Sequence, residues 1–256
     1  MLDGARIFHV NVNCSDLAAS RAFYVDRCGL TEGVRTTPDG VQSGTAFGLD
    51  RARWDAWILV GAAGFDGGAV DLLEWQDPPP TGTAPEPGEP GFVRIGIVVA
   101  DAVAPARVHD PDGVVVDLGP GPVAGLATVA ITCADQGASV AFYRALGFHE
   151  QVVDPRRPDD VVLSAPGGGP VGLVLGRAAT GNAVVRPRPA NTLGIWRSAL
   201  LVADLDAAVA RLRAARIALI SEPQAMAMGP GIPDLRFVCF RGPDHEVIEL
   251  IQSPAI

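Results

Sequence analysis

The chain repeats itself, and that repeat limits what it can fold into more than any other feature. Phe8–Tyr24 reads FHVNVNCSDLAASRAFY, and its second part returns 119 positions later as Val129–Tyr143, VAITCADQGASVAFY. Across the fifteen positions from Val10, eight are identical without a gap: Val10, Cys14, Asp16, Ala19, Ser20, Ala22, Phe23 and Tyr24 match Val129, Cys133, Asp135, Ala138, Ser139, Ala141, Phe142 and Tyr143. A repeat of this kind makes a short supersecondary unit the building block of the fold. Each copy reads as a strand running into a helix. Phe8, Val10 and Val12 alternate with His9, Asn11 and Asn13, which gives one apolar and one polar strand face. Ser15 or Asp16 then supplies the helix cap.

Read onward, the chain divides into four β-α-β-β-β modules and an α+β fold class. Module one spans about Ile7–Gln76, with later strands at Thr31–Thr36, Trp54–Val60 and Val70–Gln76. Asp77–Pro90 is a proline-rich, extended linker. Module two begins with FVRIGIVVAD, ending at Asp101, and is cut short. Only Ala102–Val108 stands where a helix belongs, a DPDG turn follows, and Val114–Leu118 closes it. Module three, Leu126–Gly176, is complete, with a helix over Asp135–Leu146 and strands near Phe148–Val153, Val161–Ser164 and Val171–Leu175. A second linker covers Arg177–Thr192. Module four, Ile195–Gln252, has its helix at Leu205–Ala215 and later strands at Ile217–Ser221, Leu235–Arg241 and Val247–Gln252. The expected division is residues 1–120 for modules one and truncated two, and 121–256 for modules three and four.

Composition enters as a filter. The chain has 256 residues, 48% of them hydrophobic, and a formal net charge of −9. Such a balance argues against a nucleic-acid surface, which needs clustered Lys and Arg. The N-terminal MLDGARIFHV lacks the basic stretch and apolar core of a signal peptide, and no apolar run is long enough for a membrane span. Cys14, Cys28, Cys133 and Cys239 are widely spaced without a CxxC, so they read as reduced packing residues of a cytoplasmic protein. P-loop, GxSxG and strand-linked Rossmann glycine patterns are absent from the sequence.

The motif D-L-x-x-S-x-x-F-Y after the first strand (Asp16–Tyr24) and P-D-x-x-x-I-E-L near the end (Pro243–Leu250) resemble the vicinal oxygen chelate superfamily. That superfamily groups glyoxalase I, bleomycin-resistance proteins, fosfomycin-resistance enzymes, methylmalonyl-CoA epimerase and extradiol dioxygenases. The resemblance covers nearly the whole chain and is specific for fold, not for function. It implies that modules pair into half-barrels around a cavity, with metal ligands, where present, on the first and fourth strands. Transferred to this chain, those positions are His9 and Glu74, Arg94 and Asp117, Thr128 and about Leu175, and Arg197 and Glu249. Module one then pairs either with two or with four. The second pairing is favoured because it builds the cavity from complete modules.

The resemblance implies a metal set of His9, Glu74 and Glu249 for a divalent Fe, Mn, Ni, Co or Zn ion, or no metal at all. Glu74, Arg197 and Glu249 are the candidate catalytic residues, and Asn11 and Arg197 the candidate substrate contacts. Arg197 departs from the pattern, since a guanidinium cannot ligate a metal. It can neutralise a carboxylate or clamp a substrate carboxylate or enolate. Trp54, Trp57, Trp75 and Trp196 read as packing residues, one or two of them lining a cavity. Met226 and Met228, beside Gly229–Gly231, form a flap or a plain surface loop. Three functions stay open: a metal-dependent isomerase or lyase of the glyoxalase type, with dioxygenase chemistry less favoured; a metal-free binder of a hydrophobic small molecule, as bleomycin-resistance proteins are; and a metal-free catalyst using Arg197. One chain carries all four modules, so the cavity needs no second copy, and monomer and homodimer both remain open.

Overall fold

The computed structural model of the chain describes residues 2–100, 102–151, 158–178 and 185–252. Module one comprises β1 (Arg6–Asn13), α1 (Leu17–Ala22), β2 (Thr31–Thr36), β3 (Gln42–Ser43), β4 (Arg51–Gly61) and β5 (Gly64–Asp77). Module two has β6 (Gly91–Val99), β7 (Ala106–His109) and β8 (Val115–Pro120). Module three has β9 (Gly125–Cys133), α2 (Gln136–Leu146), β10 (His149–Glu150), β11 (Val161–Ser164) and β12 (Gly172–Arg177). Module four has β13 (Gly194–Val202), α3 (Leu205–Ala214), β14 (Gln224–Met226), β15 (Leu235–Arg241) and β16 (Val247–Gln252). α1, α2 and α3 start the same way. The carboxylates of Asp16, Asp135 and Asp204 accept the backbone N–H of Ala19, Ala138 and Ala207, satisfying a donor that the first turn leaves free.

The strands form two curled half-barrel sheets. The first runs β14-β15-β16-β13-β1-β5-β4-β2, with β3 against β4; the second runs β10-β11-β12-β9-β6-β8-β7. Module one therefore joins module four through the antiparallel β1–β13 pair, and module two joins module three through β6–β9. Each sheet draws on both sides of the division at residues 120 and 121. The sheets share one core. Val10 and Val12 of β1 belong to the same buried cluster as Val129 and Ile131 of β9, with Leu17, Tyr24, Tyr143, Leu146, Leu205 and Leu212 from the helical segments. Burying such side chains stabilises by roughly 1.5–3 kcal/mol each. Gly61 is required where β4 meets the start of β9, because a Cβ there would collide with the backbone of Ala124 and Gly125.

Three elements differ from expectation. Ala102–Val108 holds no helical remnant: Pro105 breaks a helix, and Ala106–His109 pairs with β8 as the third strand of module two. What module two lacks is its helix and second strand. Ile217–Ser221 is not a strand. Leu219 makes one bridge to Phe240, and the edge position goes to β14, past Pro223. The strand expected at Phe148–Val153 is His149–Glu150 in its described part, and its end lies outside the described residues, as does Asp101. All four cysteines are free and buried. No helix among the described residues is long and apolar enough to cross a membrane.

Candidate ligand-binding site

Strand register decides which side chains meet. β1 carries a bulge at Phe8 and β13 one at Trp196, each just before the residue that turns inward, His9 and Arg197. A bulge adds an unpaired residue and re-aims its neighbours. Phe8 and His9 therefore line one cavity although they are consecutive. The second sheet repeats the device, with bulges at Val93 and Ala127 before Arg94 and Thr128.

The carboxylates come from the strands flanking the central pair. Asp71 on β5 lies opposite Asn11, and Glu249 on β16 lies opposite Ala199, in each case two residues beyond His9 or Arg197. Asp71, not Glu74, is thus the module-one counterpart of Glu249. Glu74 is excluded by parity: it is three residues past Asp71 and so lies on the opposite face. There its carboxylate accepts the N–H of Leu17, the first residue of α1, at 2.8 Å. Gln252, three residues past Glu249, does the same for Leu205 of α3 at 3.1 Å. Arg177 of module three donates from Nε to Gln136, the first residue of α2, at 2.9 Å. These positions tie helix starts to their sheets, on the face away from His9 and Arg197. By the same register the module-three counterpart is Val174, opposite Ala130, rather than Leu175. The signal for Asp71 was available as a lone acid flanked by Val70 and Leu72, but only pairing with Asn11 fixes its phase.

The structure thus brings together His9, Asn11, Asp71, Arg197 and Glu249. Arg197 bridges both acids, donating from Nε to Glu249 at 3.0 Å and from Nη2 to Asp71 at 2.9 Å. Asn11 Nδ2 donates to the same Asp71 oxygen at 3.3 Å. His9 Nε2 stands 3.4 Å from Glu249 and 3.8 Å from Asp71, ion-pair distances without hydrogen-bond alignment. The four ionisable side chains are 2–7% exposed. Both ring nitrogens of His9, Oδ1 of Asn11 and Nη1 of Arg197 are buried without a hydrogen-bond partner. Burial pushes the Glu249 carboxyl up, but the charge of Arg197, with His9, outweighs it and holds the group below the usual range. Burial likewise opposes the Arg197 charge, and Glu249 and Asp71 together keep its pKa above the ordinary value.

Above this floor the walls are apolar. Phe8, Val34, Phe47, Trp54, Phe65 and Phe237 line a cavity of about 240 Å³. Phe47 is the hub, 5.4 Å from Phe237, 5.6 Å from Trp75 and 6.3 Å from Trp54 between ring centroids. The guanidinium of Arg197 lies 5.5 Å above Phe47 and 5.8 Å from Trp196, a cation–π arrangement. Met226 and Met228 also line the cavity, and Gln42 clips their segment to module one through reciprocal bonds with the backbone of Ala227. Asn13 faces elsewhere: it accepts from Trp75 Nε1 and donates to the carbonyls of Ala190 and Thr192, anchoring the second linker.

The residues present do not fit a divalent metal. The carboxylate oxygens nearest His9, Oδ2 of Asp71 and Oε2 of Glu249, are the ones that Arg197 engages, so a metal held there with His9 would stand beside a permanent cation. Among the described residues no group of three or more His, Cys, Asp or Glu is arranged to hold a metal ion. Glu249, with its lowered pKa, also makes a poor general base at neutral pH, which calls for a raised one.

Residues 125–250 match the family model described as Glyoxalase/Bleomycin resistance protein/Dioxygenase superfamily. In structure the chain is similar to glyoxalase I from Zea mays, with a TM-score of 0.66 and 17% identity over 97% of this chain and 92% of that one. It is also similar to a candidate dioxygenase from Bacillus subtilis, with a TM-score of 0.67 and 10% identity over 100% of this chain and 87% of that one. At these identities the likeness is one of fold. No curated protein matches the chain in sequence.

Proposed function

Because residues 125–250 match the Glyoxalase/Bleomycin resistance protein/Dioxygenase superfamily model and the whole chain shares that fold, which serves both chemistry and binding, we propose that it is a metal-independent binder of a small, flat, apolar molecule. The ligand sits in the cavity between modules one and four, its polar edge on the floor. One observation carries this reading: Arg197 stands where the register calls for an inward first-strand residue, and it locks Asp71 and Glu249 together beneath an aromatic chamber. Concave, mostly apolar sites with a few convergent polar groups are the usual form of small-molecule pockets. The buried, unpartnered atoms of His9 and Arg197 supply the orienting contacts.

Titration with an aromatic fluorescent probe, followed by quenching of Trp54, tests the reading. The expected result is one binding event per chain, unchanged by chelator. Val34→Trp, which fills the cavity from β2, weakens it at least tenfold, about 1.4 kcal/mol. Stoichiometric retention of a divalent metal that His9→Ala abolishes would overturn the proposal.

A metal-free catalyst is supported by His9, whose two ring nitrogens are both without hydrogen-bond partners beside Glu249. In that reading His9, rather than Glu74 or Glu249, is the proton-transfer group.

A further inference from the structure

The floor of the cavity has a charge count that selects its ligand. Asp71 and Glu249 bring two negative charges and Arg197 one positive charge, all buried in the same cluster. With His9 neutral, the floor carries one net negative charge. With His9 as imidazolium, it is neutral. In neither state does it hold the surplus positive charge that a buried anion needs, and an unpaired charge in an apolar site is costly.

The guanidinium offers no way around this. Of its two carboxylate-facing edges, Nε is committed to Glu249 and Nη2 to Asp71. Nη1 is the one nitrogen left without a partner. Its two N–H groups can serve neutral acceptors, such as a carbonyl, ether or ring nitrogen. A ligand carboxylate would be the third anion on one cation, close to two carboxylates already there. Arg197 therefore does not clamp a substrate carboxylate or enolate, the role that the sequence left open for it.

The walls favour positive charge for a separate reason. Aromatic faces attract cations, and Phe8, Trp54, Phe65 and Phe237 line the chamber, with the thioethers of Met226 and Met228 beside them. Resting on the reading of this cavity as a binding site for flat apolar molecules, we infer that its ligands are aromatic compounds bearing a basic nitrogen, with neutral analogues weaker and anionic ones excluded.

Three naphthyl compounds of matched shape test this in calorimetric titrations at neutral pH: naphthylmethylamine as cation, naphthylmethanol as neutral analogue and naphthoate as anion. The expected order is amine, then alcohol, then acid, with the amine roughly tenfold or more tighter than the acid. Asp71→Asn, near-isosteric and checked for folding by circular dichroism, removes one floor charge and narrows the amine-to-acid ratio to about threefold or less. Glu249→Gln serves as the independent second variant with the same expected direction. Naphthoate binding as tightly as the amine, or a ratio that neither variant changes, overturns the charge selection and leaves the cavity reading standing. If none of the three binds, or if Val34→Trp binds them as the parent chain does, the cavity reading itself fails.

Discussion

The two sheets place equivalent residues at equivalent points and end with different sites. Arg94 and Asp117 of module two occupy the positions of Arg197 and Glu249 of module four, while Thr128 and Val174 of module three stand where module one has His9 and Asp71. Bulges precede all four first-strand positions. In the second sheet Arg94 lies 3.4 Å from Asp117 and 3.2 Å from Asp160, and Arg107 grips Asp117 through two nitrogens at 2.7 and 3.0 Å. These side chains are half-open: Arg94, Asp117 and Asp160 are 17–25% exposed, against 2–7% on the first floor. The difference follows from the eroded module. Without the second strand of module two, the second cavity, lined by Arg94, Asp117, Thr128 and Asp160, is wider, about 530 Å³ against about 240 Å³, and its charges are open to solvent. Similar ions at similar register positions thus differ in energetic weight because water reaches one set and not the other.

Removing the paired arginine is the strongest way to break this comparison. Arg197→Met leaves two buried carboxylates uncompensated and is expected to cost about 3–5 kcal/mol, whereas Arg94→Met should cost roughly 1 kcal/mol or less. Urea unfolding of both variants measures the contrast. Equal losses would mean that the two clusters sit in the same effective dielectric.

The next effect concerns the contacts that join the sheets. The Tyr24 hydroxyl donates to Asp110 at 3.2 Å, and in the repeated half the Tyr143 hydroxyl donates to Glu246 at 2.7 Å. Burial raises Asp110 to about 6 and Glu246 to about 7. Folding holds these protons more tightly than the unfolded chain does. Their stabilisation is therefore complete below the unfolded values of 3.8 and 4.5, and is lost as pH rises through about 6 and 7. Glu246→Gln should flatten the fall in stability between about pH 4.5 and 7 by an amount on the order of 2–3 kcal/mol. Asp110→Asn should act over a lower and narrower window. Melting temperatures across the pH range distinguish the two. An unchanged profile in both variants would show that these carboxyls titrate normally.

The smallest effect separates scaffold from site. Glu74→Ala removes an acceptor at the start of α1 and is expected to cost about 1 kcal/mol, with Gln252→Ala losing a similar amount at α3. Neither should change probe binding. A Glu74→Ala variant that folds normally but no longer binds would return that residue to the cavity.

Much of the architecture is legible in the residues. The fifteen-position repeat, the Asp caps and the alternating strands specify modules, because local chemistry sets each start and face. His9, Arg197 and Glu249 stand at first- and fourth-strand positions that the family resemblance marks as inward, and Asn11 shares the polar strand face of His9. Asp71 and the scaffold role of Glu74 were not legible. A one-residue change in assumed phase moves a side chain to the other face, and the phase of β5 is set by its pairing with β1, not by its own composition. The bulges at Phe8 and Trp196 left no mark in the sequence either, since they exist only between paired strands.

By itself, then, the sequence determined the repeating unit and the fold class, properties of one strand or helix at a time, and through its family resemblance it marked most of the residues that carry charge into the interior. Tertiary structure decided which modules share a sheet, which acid faces the cavity, and that Arg197 closes on two carboxylates instead of leaving them for a metal. Those outcomes depend on register across strands far apart in the chain and on which cluster water can reach, and neither is encoded in a local stretch.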